Sequence, residues 1–489
     1  MEIWVAFVSY PKAIPDPSLP NRRQTLTQRR NIAESTDRPT ESVWPIVVYL
    51  ILLCVPISFA MGSLHLPPFR LFLLIMLLPS LIKYMRAPDG RVYAPDILIF
   101  LYVAWCMMTI LLAQGISAGL EAAGSLAVEV LGGFFLARAW VRDAPSFQTF
   151  SKLYFWLVAI LLPFALFEAL TGNAIILQLV GKLVRVFSTI YMEPRLGLDR
   201  AQGPFEHPIL FGVFCSVAFG LCLYTLQIDA RRFRRPIRLL IVTSATFLSL
   251  STGAYLSVVA QGAFAAWDRF VTFSHLRWRL LLVLSISAYI AVDALSNRTP
   301  FAVFITYLTF DAHNSYMRML IWEYGTAEVY RHPLLGLGLF TEWIRPEWMH
   351  ATSIDNFWLL RAMRHGLPAV TLLIGTVLWV VVKLSRLKLA PANIDACRRG
   401  LLMAIGGLSI SLVTVDVWNG LHSLFWFLLG CSMWLLNPSA VVGGATSEPT
   451  GAGPHHAKPE NVTRPVRPPA IVATQRSPDI HPVTPRRQS

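Results

Sequence analysis

The chain has 489 residues, of which 55% are hydrophobic and only 14% charged, against roughly 25% charged in soluble domains. That balance excludes a soluble globular fold, because most of the chain needs lipid around it. The net charge of +14 falls mainly in short loops and in two tails, so it reports membrane orientation and excludes nucleic acid as the partner.

In chain order, residues 1–42 hold Arg22, Arg23, Arg29 and Arg30 among Pro, Asn and Thr, and no small-residue cleavage site follows the apolar stretch after them. They read as a disordered cytoplasmic tail ahead of an uncleaved first helix. A bilayer core of about 30 Å takes about 20 apolar residues per helix. Stretches of that kind predict spans at 44–62, 66–83, 95–113, 119–140, 152–170, 207–227, 237–251, 254–268, 278–295, 366–383, 401–418 and 420–436. The expected fold is all-α, a polytopic membrane domain over 43–437 with about twelve transmembrane helices. Residues 438–489 turn to Gly, Pro, Ser, Thr and Arg, a composition that cannot bury enough apolar surface to fold. They read as a second disordered cytoplasmic tail.

Basic clusters at Lys83/Arg86/Arg91, Arg138/Arg142/Lys152, 231–235, Arg269/Arg277/Arg279 and 383–399 fall on alternate connections. They share one face if both termini are cytoplasmic. Two longer connections, 171–206 and 296–365, are left for the outer face, and the late one is large and contains a helix expected over 312–332, ended by Pro333. Of the six cysteines, Cys54, Cys106, Cys215, Cys222 and Cys431 lie in apolar spans and Cys397 in a basic loop, with no metal spacing among them. His313, His332, His350 and His365 match no zinc motif either, so no metal or cofactor is expected.

The candidate chemistry sits in those two outer loops. Arginines on the outside are disfavoured by the positive-inside pattern, yet the late loop carries six, among them Arg318 and Arg331. A guanidinium holds a phosphate through two parallel hydrogen bonds, which suits a diphosphate-bearing lipid; pairing with neighbouring carboxylates or lipid headgroups is the plainer reading. His313 and His332 flank the loop helix, Gly336 and Gly338 make a turn whose amides are candidates to approach an anion, and Asp355-Asn356 precedes the next span. In the early loop, 175–187 reads as an amphipathic interfacial piece with Lys182 and Arg185 on its polar side. Arg195, Arg200, Glu206 and His207 then crowd the mouth of the sixth predicted span. Asp355 fits a general base, and fits an ordinary helix N-cap almost as well. Inside the spans Glu129 sits deepest, with no role assigned, while Glu121, Glu168, Asp293 and Asp416 lie near span ends.

Several short motifs together resemble one family, the O-antigen ligase and Wzy-type polysaccharide polymerase superfamily, over roughly 95–436. They are Phe167-Glu168-Ala169-Leu170-Thr171-Gly172, Arg200-Ala201-Gln202-Gly203-Pro204-Phe205, Arg318 with Trp322, the run from His332 to Gly338, and Asp355-Asn356 with Gly366. The resemblance implies a fold of the GT-C membrane glycosyltransferase type in a bacterial inner membrane. It also implies metal-free transfer, on the periplasmic face, of an undecaprenyl-diphosphate-linked glycan, alongside a flippase and a chain-length regulator. In such proteins arginines matching Arg200 and Arg318 are thought to hold the diphosphate. On that basis Asp355, Arg318 and Arg200 are the catalytic candidates. Arg195, His313, Arg331, His332, Asn356, Glu168, Glu206 and His207 are candidates for binding diphosphate or sugar. Ligases of the family usually have a histidine before the asparagine where Asp355 stands, and the departure favours a polymerase over a ligase. A transporter or lipid-linked-sugar flippase remains the alternative from another class; it predicts polar residues meeting at mid-membrane rather than in outer loops.

Overall fold

The computed structural model describes residues 42–57, 60–61, 64–87, 91–227, 233–271, 277–297, 300, 302–303, 312–339, 342–349, 353–387 and 391–437. Both tail expectations, the 231–232 part of the third basic cluster and His350 lie outside them. The described residues belong to one unit and are helical apart from a two-residue hairpin pairing, β1 (Ala60–Met61) with β2 (Leu64–His65).

Among the described residues six helices are long and apolar enough to cross a bilayer: Pro68–Met85, Ala94–Trp140, Ala144–Thr171, Arg277–Leu295, Phe357–Arg386 and Asn419–Leu436. The chain is a helical, multi-pass membrane protein. Its elements are α1 (Trp44–Leu53), α2 (Pro68–Met85), α3 (Ala94–Ala127), a π-helical turn (Val128–Gly132), α4 (Gly133–Trp140), α5 (Ala144–Thr171), α6 (Ile175–Gly181) and α7 (Pro208–Leu223). After them come α8 (Arg234–Leu248), α9 (Thr252–Phe270), α10 (Arg277–Leu295), α11 (Ala312–Arg331), α12 (Phe357–Arg386), α13 (Ala392–Ser411) and α14 (Asn419–Cys431).

The first predicted span, 44–62, is corrected: α1 has 10 residues, about 15 Å of rise. Pro56 follows its end, where a proline has no N–H to continue a helical ladder. Predicted span 401–418 is likewise corrected, since α13 ends at Ser411 and 412–418 is not helical, whereas two predicted connections fall on real breaks. The gap between spans 95–113 and 119–140 contains Gly115, whose φ of 77° interrupts α3, and Ser249–Ser251 separates α8 from α9.

The core is aromatic. Tyr154 stacks on Phe214 with ring centroids 4.6 Å apart, Phe150 meets Phe427 at 5.3 Å, and Tyr102 meets Trp426 at 5.2 Å. Small residues let the helices close on this core: a Cβ on Gly133 would sit 2.4 Å from the Ser423 carbonyl oxygen, and one on Gly430 2.4 Å from that of Phe134. These two glycines lock α4 against α14. By contrast α10 buries none of its residues, leaving Leu282, Ile286 and Ile290 to lipid.

One break positions the late loop. At Gly366 (φ 76°) α12 bends, two residues before Pro368. Pro368 has no N–H to offer the Arg364 carbonyl four residues back, and the Leu367 N–H turns instead to the Pro333 carbonyl at 2.7 Å. The two orphaned carbonyls are taken by the loop, with Leu337 N–H donating to Met363 at 2.7 Å and Gly338 N–H to Arg364 at 3.0 Å. The backbones approach so closely that a Cβ on Gly366 would lie 1.9 Å from the Leu334 oxygen. This corrects the anion-cradle expectation for Gly336 and Gly338: the Gly338 amide is spent on the bent helix and the Gly336 amide on the His332 carbonyl at 3.1 Å.

Candidate functional site

Glu168, in the last turn of α5, is 5% exposed and accepts the backbone N–H groups of Gln202 and Gly203, one on each oxygen, both at 3.0 Å. Asp199 N–H bonds the Ala169 carbonyl and Ala201 N–H that of Leu248, each at 3.0 Å. The 199–203 segment is therefore stitched between α5 and the end of α8. Arg200 is aimed by that stitching: its Nε donates to the Ser249 carbonyl at 3.3 Å and its Nη1 to Met192 Sδ at 3.1 Å. Arg195 donates through Nη1 to the Leu250 carbonyl at 2.8 Å. The glutamate expected to bind substrate is thus a backbone anchor that places Arg200.

The second half of the site comes from α11 and the start of α12. Asn356 caps α12, its Oδ1 accepting Leu359 N–H at 3.0 Å. The cap role weighed for Asp355 belongs to its neighbour, and among the described residues the Asp355 carboxylate makes no hydrogen bond. Asp355, Asn356, Arg318 and Trp322 line one narrow pocket together with Ile321 and Val413, closed too tightly in this conformation to hold a water molecule. Within it the Arg318 Nε and Nη1 atoms are buried without a hydrogen-bond partner among the described residues. Unmade bonds of that kind cost about 1–3 kcal/mol each, more for charged groups.

The two halves meet electrostatically. Burial pushes the Asp355 carboxyl above its ordinary value, against the pull of Arg318 and Arg200, and Asp416 pushes it further up. Burial likewise draws Arg318 down, with Asp355 opposing and Arg195 adding to the fall. Arg200 is drawn down to about 10 by burial and by Arg195, and keeps its charge at neutral pH. Arg200 and Arg195 are therefore within electrostatic reach of Arg318 and Asp355 although more than a hundred residues separate the pairs. Asp416 is already engaged by Arg361, Nη1 to Oδ1 at 3.3 Å.

The remaining candidates divide. His207 caps α7 through Nδ1, accepting Ile209 N–H at 3.0 Å, and burial and the Arg200 charge push its imidazole down to about 4, so it is neutral at pH 7. Glu206 accepts Trp418 Nε1 at 2.5 Å and Asn419 Nδ2 at 2.7 Å. Arg331 is paired with Glu328 at 2.5 Å. His332 is exposed beside it, and neither lines the Asp355 pocket. His313 lies on the first turn of α11 with its side chain outside the described residues.

Sequence reading gave Glu129 no role, and the structure supplies one. It lies in the π-helical turn and receives Arg70 Nη2 at 2.5 Å and Nε at 3.1 Å on one oxygen and His422 Nδ1 at 2.9 Å on the other. Trp426 Nε1 donates to His422 Nε2 at 3.1 Å, which makes Nδ1 the protonated nitrogen. Arg70 also donates to Asn419 at 2.8 Å, and Asn419 holds Glu206. A single hydrogen-bonded chain thus runs from the site mouth at Glu206 to Trp426.

Among the described residues no group of three His, Cys, Asp or Glu side chains is placed to hold a metal ion. No protein-family model matches the chain, and no curated protein is similar to it.

Proposed function

We propose that the protein is a membrane glycosyltransferase that polymerises undecaprenyl-diphosphate-linked oligosaccharide repeat units into exopolysaccharide or O-antigen. The observation that carries this reading is the Arg318 guanidinium, buried with two nitrogens unbonded, beside a desolvated carboxylate, Asp355, that no helix cap consumes, with the buried Arg200 in their electrostatic field. In the proposed step an acceptor hydroxyl attacks the anomeric carbon of the donor glycan. The new C–O bond forms as the bond from that carbon to the diphosphate oxygen breaks, and the bonding pair leaves with undecaprenyl diphosphate. The hydroxyl proton passes to Asp355, and Arg318 and Arg200 neutralise the charge growing on the leaving group. Burial suits Asp355 to this work, because a raised pKa makes its carboxylate a stronger base. The step needs no metal, nucleotide sugar or oxidant.

The same reading places the chain in a bacterial inner membrane with about twelve spans, both termini cytoplasmic and the Asp355 pocket facing the periplasm, in an architecture resembling GT-C glycosyltransferases. A flippase would deliver its donor and a chain-length regulator would work beside it. Transport has one observation in its favour, the buried Arg70–Glu129–His422 cluster. Its groups are spent on one another, whereas the donors of Arg318 are not.

The test is the surface glycan of a deletion strain, complemented with wild type, Arg318→Ala or Asp355→Ala at matched protein levels. Single repeat units where long chains belong, restored by wild type alone, support the polymerase. Long lipid-linked chains that never reach an acceptor indicate a ligase, lipid-linked units trapped on the inner leaflet indicate transport, and full rescue by both variants removes the site.

A further inference from the structure

A second cavity is lined by the residues that directly precede Asp355 in the chain. It encloses about 350 Å3 and is lined by Gly338, Glu342, Trp343, Arg345, Ser353 and Arg364, with aliphatic side chains between them. Sites for small molecules typically measure about 300–1,000 Å3. Ser353 and Ile354 line this cavity, while Asp355 and Asn356 line the Arg318 pocket. Four consecutive residues therefore contribute to the two spaces in turn.

The polar groups around the cavity are differently committed. Arg345 is fixed by bonds from Nε to the Met349 carbonyl at 3.0 Å and from Nη1 to that of Trp343 at 3.4 Å, and Glu342 stands exposed 3.8 Å from its Nη2. Arg364, on the last turn before the Gly366 bend, makes no side-chain hydrogen bond among the described residues. A cavity with a hydroxyl, a carboxylate and two guanidinia beside Leu337, Leu360 and Met363 offers donors and acceptors over an apolar floor. Hydroxyl-rich ligands need that combination, and a lipid tail does not.

We infer that this cavity is the acceptor-saccharide subsite, seating the terminal sugars of the acceptor chain so that one hydroxyl reaches Asp355 along the 353–356 segment that both spaces share. The inference rests on the glycosyltransferase reading above and adds where the acceptor sits. The donor diphosphate and the acceptor sugar then occupy separate spaces and meet only at Asp355. Filling the acceptor space leaves donor binding intact.

The test uses full-length protein in nanodiscs with two probes: undecaprenyl diphosphate, and the repeat-unit oligosaccharide freed by mild acid from the lipid-linked pool of the deletion strain. Ser353→Trp fills the cavity from an exposed position, and Arg364→Ala removes its uncommitted guanidinium. Both variants are expected to bind the oligosaccharide at least about tenfold more weakly, to bind undecaprenyl diphosphate as wild type does, and to make shorter chains in the complemented strain. Arg318→Ala is expected to show the reverse binding pattern; undecaprenyl diphosphate binding doubles as the check that Ser353→Trp and Arg364→Ala are folded, and oligosaccharide binding as the check for Arg318→Ala. Wild-type oligosaccharide binding by both Ser353→Trp and Arg364→Ala overturns the acceptor subsite and leaves the proposed function standing. Undecaprenyl diphosphate binding untouched by Arg318→Ala, with normal glycan in the deletion strain, overturns that function and the subsite with it.

Discussion

Removing Glu168 separates a backbone anchor from a substrate ligand. Its carboxylate holds two buried N–H groups, those of Gln202 and Gly203, each at 3.0 Å. Glu168→Ala leaves both without an acceptor, and a buried unsatisfied donor costs about 1–3 kcal/mol. The native loop should therefore lose roughly 2–6 kcal/mol against its locally open form, at about tenfold in opening per 1.4 kcal/mol. Glu168→Gln keeps one accepting oxygen and turns an NH2 group toward the other donor, so it should fall between wild type and alanine. Hydrogen exchange of the 199–203 amides in nanodiscs measures the effect directly, with undecaprenyl diphosphate binding as a second readout because Arg200 rides on this segment. The reasoning fails if Glu168→Ala loses ligand binding while those amides keep wild-type protection. That result would mean the carboxylate touches the ligand itself.

Three further outcomes follow from the same geometry. Gly366→Ala forces a Cβ to 1.9 Å from the Leu334 oxygen at a φ of 76°, and the backbone strain alone costs about 1–3 kcal/mol; a monodisperse protein with wild-type thermal melting would contradict it. Glu129→Ala strands the Arg70 guanidinium in the buried network and should cost about 3–5 kcal/mol, whereas Arg70→Met with Glu129→Met together should cost less; equal melting temperatures for the two would show that the pair is not coupled. Asp355 carries a carboxyl raised above the ordinary value of about 3.9, so transfer should fall with acid through a value above that. Its stability effect has the opposite sense: the ionised form is the one the fold disfavours, so wild-type stability is lost as pH rises through the raised value. Asp355→Asn should therefore abolish transfer yet melt no lower than wild type at pH 8, and a clearly lower melting temperature would mean that the carboxylate is structural.

Apolar length and punctuation made much of the fold legible in the sequence. The late-loop helix expected over 312–332 is Ala312–Arg331, ended by Pro333 as proline chemistry requires. The predicted start of a span at 366 falls on the Gly366 bend, although the helix reaches back to Phe357. Hydropathy carried that span too far inward from the loop because it registers polarity and not where a ladder breaks. The same blindness produced the overlong first span, where Pro56 ends the helix inside an apolar run. The site was legible as a set of residue types in two outer loops. Its convergence was not, since nothing in the spacing of Arg200, Arg318 and Asp355 says which helices pack. Glu129 went unexplained for the same reason, with its partners 59 and 293 residues away. The Gly336–Gly338 turn misled because a glycine pair that can cradle an anion can equally let a loop cap a broken helix.

The chain's own ion pairs supply the standard against which the site is unusual. Where an arginine is buried for structure it meets a carboxylate closely: Arg70 with Glu129, and Arg138 with Asp96 through two bonds at 3.0 and 3.1 Å. Arg195, Arg200 and Arg318 make no such pair among the described residues, and they share the field of one carboxylate, Asp355, whose neighbour Asp416 is already engaged by Arg361. Two buried guanidinia, Arg200 and Arg318, with the half-buried Arg195 beside them, face one carboxylate, an excess of positive charge whose cost structural pairing removes elsewhere in the same molecule. An arrangement that leaves such a cost standing gains stability when a dianionic group enters, in proportion to its occupancy. A diphosphate is such a group, and Asp355 beside it supplies the base that an incoming hydroxyl requires.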